Sequence, residues 1–388
     1  MARNSEIFDV KNWELPDHEL YLSKLKGLTP RNVGNFLVLG NLLKEVDLYC
    51  YLKARFGPPR GFAMAFRAPS TDNLIQWNYT LMCRGNVIEV WGKTAQVEIF
   101  IEWFSKFQKK SWTRMIESIK GDFQNYGAKI SEARNILEKW KIFVNPYVRL
   151  KTTVDLYAAR LEALHVEDNT LPPNPLSTKE MKTLQRRMQE SINLYREAAA
   201  LSMSVKMLLP VLAESFVNLL VFVLRKDELK NDERLYENFI RSAIDVRIKG
   251  LHLHCTGFAR GIDAQAQEFK DFHSLMNTRN DFVHGNVNPV ALTLREVYFD
   301  GTIPLFRETL SFAERALSGT LRFIEPNETM RDLQTVRAFE RFVLSHLKPV
   351  TRAQVDRVLN DSQPGWREDT KKVGALFTEQ VVAAFLPR

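Results

Sequence analysis

The sequence predicts a mainly α-helical protein, with an all-helical C-terminal half and a smaller mixed α/β domain before it that contains an antiparallel hairpin. Three observations predict this. Apolar residues recur at three- and four-residue spacing through almost all of 178–323. Period-two apolar runs are confined to the stretch before residue 95. Between the two regimes lies "VEDNTLPPNPLS" (166–177), with three prolines and no periodicity.

A chain of 388 residues exceeds one ordinary core. The expected division is a mixed domain over 1–165, a linker over 166–177, a helical domain over 178–325 and a helical extension over 326–388. An apolar content of 45% with 26% charged residues is that of a globular chain and excludes a disordered one. The net charge of +8 fits either a solvated basic surface or attraction to a polyanion such as RNA. Cys50, Cys83 and Cys255 are odd in number and far apart, so they do not read as a disulfide framework. The first twenty residues lack the apolar core of a signal peptide, and a reducing cytoplasm is the expected setting.

In chain order, Thr29 and Pro30 read as an N-cap and a first helical residue. Phe36, Leu39, Leu43, Val46 and Cys50 follow at helical spacing up to a stop at Gly57. The alternation of Phe62, Met64 and Phe66, then of Ile75, Trp77, Tyr79 and Leu81, then of Ile88 and Val90 beyond Gly85-Asn86, reads as a small antiparallel sheet. From Ala95 a helical spacing is expected again, with Phe100, Phe104 and Phe107 on one side. Ser177 and Glu180 form a capping-box pattern for a helix carrying Met181, Leu184, Met188, Ile192 and Tyr195. The stretch 205–224 approaches the length of a membrane span, but Lys206, Pro210, Glu214 and Asn218 interrupt it, so a buried core helix is expected. The tail is helical with breaks near Pro349 and Pro364, and its segment 351–372 is expected to form a capping helical hairpin or a short helix-turn-helix.

Within the helical half, "RNDFVHGN" (279–286) gathers polar chemistry at the end of an amphipathic pattern. Phe269, Phe272, Leu275 or Met276, Phe282 and Val283 supply the apolar face, and Gly285 suits the left-handed position just past a helix end. His284 then falls in the last turn, where the negative end of the helix dipole favours the imidazolium. Asn280 lies one turn earlier on the same side. Arg279 lies about 140° around the helix from His284, within reach of a shared ligand for a long side chain. An arginine and a histidine suit RNA cleavage. A base takes the 2′-OH proton, an acid protonates the leaving 5′-oxygen, and a cation offsets the phosphate charge, without any metal.

"RNDFVH", and more closely the pattern L-x-x-x-RN-x-x-x-HG near the end of a helical domain, resembles the HEPN superfamily over roughly residues 195–325. The resemblance implies a HEPN-like helical bundle that pairs into a dimer. It also implies a composite, metal-independent ribonuclease site where the motif helices of two subunits face each other. By the same resemblance His284 is the acid/base residue and Arg279 stabilises the phosphate. Asn280 orients the histidine or the phosphate, with Glu214 and Asp281 in support. No cofactor and no metal are implied. The implied partners are an RNA substrate, a second copy of the chain joined through the helical domain, and an inhibitor or trigger protein; no membrane is implied. HEPN ribonucleases are frequent among toxins and abortive-infection or antiviral proteins, and other HEPN domains are non-catalytic dimeric adaptors or RNA-binding modules.

Other candidates are weaker. Glu214, in the apolar helix, either faces Arg279 or His284 or points to solvent. "HLHC" (252–255) lacks a complementary ligand pair for zinc. His273 lies three turns before His284 and reads as a surface residue. The glycines of "VGNFLVLGN" lack the Gly-Lys-Ser/Thr of a phosphate loop, and no acidic cluster marks the strands as a metal-dependent nuclease.

Overall fold

The computed structural model describes residues 6–17, 19, 34–39, 42–61, 75–93, 96–102, 109–174, 177–284, 293–322 and 324–377, and the side chains of 34–36, 102, 178–179 and 278–284 lie outside that description. The chain forms two compact units, residues 1–139 with 377–388, and residues 140–376.

The first unit holds a four-stranded antiparallel sheet of β1 (Gly34–Val38), β2 (Ile75–Cys83), β3 (Asn86–Lys93) and β4 (Val97–Glu102), in the order β1-β4-β3-β2. Its helices are α1 (Glu45–Phe56), α2 (Lys109–Asp122) and α3 (Gly127–Asn135). The hairpin expected between the second and third apolar runs is present as β2–β3. Its turn is Arg84-Gly85, both at positive φ (49° and 79°), one residue earlier than expected; this is the geometry a two-residue hairpin turn favours. Tyr79, Leu81, Ile88, Val90, Ile99 and Ile101 share one apolar core with Leu48, Tyr51, Met115 and Ile119 of the helices.

Two expectations change here. The helix read from Pro30 begins only at Glu45, because 34–38 pairs with β4 as a strand. The helical spacing read from Ala95 gives way to β4. There Val97, Ile99 and Ile101 alternate with Glu98, Phe100 and Glu102, a period of two that the Phe100–Phe104–Phe107 spacing hides. Thr29, Pro30, Phe62, Met64, Phe66, Phe104 and Phe107 lie outside the described residues.

The second unit is built around one long helix. Its elements are β5 (Lys141–Ile142), α4 (Pro146–Ala163), α5 (Thr178–Leu224), α6 (Asp227–Asn231), α7 (Glu233–Arg241), α8 (Ile244–His254) and α9 (Gln267–His284). There follow β6 (Val297–Asp300), β7 (Ile303–Phe306), α10 (Phe312–Leu321), α11 (Pro326–Ser345), α12 (Pro349–Leu359), β8 (Gly365–Arg367) and β9 (Lys372–Gly374). Ser177 caps α5 by accepting from the Glu180 amide at 3.3 Å. By length and composition α5 is apolar enough to cross a membrane, yet Val205, Leu209, Leu212, Phe216, Val217, Leu220 and Val221 are buried against neighbouring helices. Its polar residues find partners there too: Lys206 reaches Glu325 at 3.2 Å and also pairs with Glu328, and Glu214 and Asn218 pair with Arg247. It is the core helix of this unit.

The division of the chain also differs from the expected one. It falls at 139/140 and not at 165, because α4 buries Tyr147, Val154 and Ala158 against α5. The proline-rich 166–177 is no free spacer: Val166 and Leu171 pack beside Leu317 and Tyr195, and the Tyr195 hydroxyl donates to the Asn169 carbonyl at 2.8 Å. The segment from 326 is no extension either, since Val336, Phe339 and Val343 of α11 lie in the central core. After α12 the tail forms the strands β8 and β9, in place of a helical hairpin, and β5 joins them. Asn145 ties this end together: it caps α4 and donates to the carbonyls of Val358 and Asp361, both at 2.9 Å.

Candidate functional site

Helix α9 is positioned by its apolar face. Phe269, Phe272 and Met276 are buried as expected, and Phe272 stacks on Phe339 of α11 with ring centroids 4.0 Å apart and planes 11° from parallel. Phe339 in turn meets Phe216 of α5 edge-on at 6.5 Å. Two helices therefore fix where α9 lies, α11 directly and α5 through it, and α9 is described through His284. The backbone of Arg279, Asn280, Asp281 and His284 is helical in the described part of α9; their side chains, those of Phe282 and Val283, and Gly285 lie outside the described residues.

Glu214 takes a partner that the sequence did not suggest. Its carboxylate pairs with Arg247 of α8, whose guanidinium also bonds the Asn218 side-chain oxygen and, through Nε, the Ser242 carbonyl at 3.0 Å. Arg247 is only 4% exposed, so these three acceptors replace the water it loses. Glu214 is thus held by Arg247 while its side chain stays 37% exposed, so it pairs with α8 and also meets solvent.

The weaker histidines are ordinary. His252 is exposed, His254 rests on the Phe239 ring at 4.6 Å, and burial pushes the Cys255 thiol up to about 12, which makes it a poor metal ligand at neutral pH. His273 is exposed, with Nδ1 3.3 Å from the Asn277 amide nitrogen. Among the described residues no three His, Cys, Asp or Glu side chains gather as a metal site. On the sheet, Glu89 and Glu98 share the face opposite the apolar core. Glu89 accepts from Asn78 at 2.6 Å and Thr80 at 2.7 Å, and Glu98 from Gln96 at 2.5 Å and Lys93 at 2.6 Å.

One titratable cluster escaped the sequence reading. Glu340 of α11 turns toward Tyr147 of α4, with Arg337, Asp155 and Lys151 around it and its Oε1 sealed from solvent without a partner. Burial raises its carboxyl to about 7, while the Tyr147 hydroxyl, Lys151 and Arg337 hold it down against a further push from Asp155. The available signal was spacing: Glu340 lies four residues after Val336 and three before Val343, on the buried stripe of its helix.

The sign of the consequence is fixed. With a folded-state pKa above the unfolded one, the native state holds the extra proton. The contribution of Glu340 to stability is therefore fully present below about pH 4.5 and is lost as pH rises through about 7. The loss is up to about 3 kcal/mol. Glu340→Gln, which cannot ionise, is expected to raise the midpoint of chemical unfolding at pH 8 and leave it nearly unchanged at pH 4.5. Equal midpoints for the two proteins at pH 8 would show that Glu340 ionises freely.

Comparison with family models, with curated proteins and with solved structures returned no match.

Proposed function

We propose that this protein is a metal-independent endoribonuclease, in which a HEPN-like site at the end of α9 is completed by a second copy of the chain. The observation that carries the reading is that all six residues of R-N-x3-H lie on one continuous helix, described through His284, inside a helical unit. Gly285 suits a helix stop there, which would set the negative helix terminus beside the imidazole. His284 acts as the acid/base residue, Arg279 stabilises the phosphate and Asn280 orients one or the other. Asp281 is a supporting polar residue, and Glu214 supports the site indirectly by fixing α8 through Arg247. The net charge of +8 favours an RNA partner. The setting is cytoplasmic, no membrane or cofactor takes part, and the role is in toxin or antiviral defence. The first unit senses a trigger or inhibitor protein, or restrains the nuclease.

The test is incubation of purified full-length protein with mixed cellular RNA in excess EDTA, beside His284→Ala. Cleavage by the wild type only, leaving 2′,3′-cyclic phosphate ends, is the expected result. Equal cleavage by both proteins would remove the motif as the active site. RNA retained by both without cleavage would favour a non-catalytic dimeric adaptor.

A further inference from the structure

Thirteen positions after His284 the chain enters β6, which with β7 forms a two-stranded sheet of its own. All eight strand residues are exposed, six of them large and apolar, with Phe299 at 67%. An isolated two-stranded hairpin is marginal in water. This one is anchored only at its base among the described contacts. Arg295 bonds the Arg315 carbonyl and the Ser318 hydroxyl, Arg315 lies over the Phe306 ring at 4.1 Å, and Arg307 pairs with Glu296 at 3.6 Å. Such an arm is built to be covered.

Its two edges differ. The register pairs Phe299 with Pro304, and Tyr298 with Leu305. Proline cannot donate, so Phe299–Pro304 is a non-hydrogen-bonded pair, and the inter-strand bonds belong to Tyr298–Leu305 and Asp300–Ile303. The N–H and C=O groups of Val297 and Phe299 therefore point away from β7, along an open edge. On the other edge Pro304 removes a donor, the usual block against pairing. Among the described residues one edge is open and the other is closed.

The occupant follows from charge, area and symmetry. From Arg295 to Glu308 the segment holds two basic and three acidic residues in a chain of net charge +8, which disfavours nucleic acid or an anionic lipid surface. The six apolar strand residues, with Leu294 and Phe312 beside them, expose on the order of 800 Å², about one side of a standard protein interface. An antiparallel strand is also its own complement across a two-fold axis. We infer that the β6 edge pairs with β6 of a second copy of this chain, giving the continuous sheet β7-β6-β6-β7 across the dimer axis. This deepens the proposed function, resting on it for the need of a dimer but on the hairpin for the interface.

The test is sedimentation equilibrium of the full chain, wild type beside Val297→Pro. That substitution deletes an outward donor and leaves the bonds between β6 and β7. The wild type is expected to be a dimer and the variant to dimerise at least 100-fold more weakly, with unchanged helical circular dichroism. In the wild type, amide exchange of the 294–300 peptide should slow as protein concentration rises. A monomeric wild type, or an unweakened variant dimer with concentration-independent exchange, would overturn the inference. The ribonuclease reading fails separately: a hairpin-dependent dimer that cuts no RNA keeps the interface and loses the enzyme, whereas cleavage by a Val297→Pro dimer does the reverse.

Discussion

His284→Ala is expected to lower RNA cleavage about 10³-fold, the range for losing a positioned acid/base group. Single-turnover rates on one oligoribonucleotide, at saturating enzyme, give the chemical step directly. The loss should appear in the rate at saturation and not in RNA affinity, because in the proposed mechanism the imidazole acts on protons in transit. Arg279→Ala is expected to lower the same rate about 10²- to 10³-fold, as removal of charge stabilisation at a phosphate does. Arg279→Lys should recover only part of that, since a lysine lacks the planar fork. Neither substitution should move the unfolding midpoint much, because both residues follow the buried Phe269, Phe272 and Met276 that anchor the helix. A His284→Ala protein that unfolds early as well as cutting slowly would mean the histidine holds the helix end together and does not turn over substrate.

Phe272→Ala carries the largest expected loss of stability, about 4 kcal/mol. The ring is 1% exposed and stacked on Phe339, which touches Phe216, so truncation opens a cavity where α9, α11 and α5 meet. Urea unfolding should show the drop in midpoint at unchanged slope. Phe272→Leu, keeping most of the volume, should cost less than half as much. If Phe272→Ala instead changed stability by under 1 kcal/mol, α9 would not be anchored by this contact, and the position of its C-terminal motif would need another explanation. Because the motif is carried on this helix, Phe272→Ala should also slow cleavage under conditions where it remains folded.

Several features were legible because they are written in short-range spacing. The apolar face at Phe269, Phe272 and Met276 sets which side of α9 is buried without any knowledge of its neighbours. The strand alternation around Arg84-Gly85, the cap at Ser177 and the stop at Gly57 are of the same kind. The apolar run 205–224 reads as a buried helix for the same reason. Its full extent, from Thr178 without a break, shows only in the structure, where Lys206 and Glu214 are compensated by Glu328 and Arg247 from other helices.

The sequence by itself determined that the chain is mainly helical, that a hairpin turns near Gly85, and which helix carries the arginine–histidine motif. Each is a matter of local periodicity and end chemistry within a few residues. Only the tertiary structure decided that 34–38 and 97–102 are neighbouring strands, that the units part at 139/140, that Glu214 belongs to Arg247, and that Glu340 lies sealed against Tyr147. Those partners lie between 33 and 193 positions apart along the chain, Glu214 and Arg247 nearest and Tyr147 and Glu340 farthest. At such separations the energy of a contact depends on which surfaces meet, and no spacing within one segment records that.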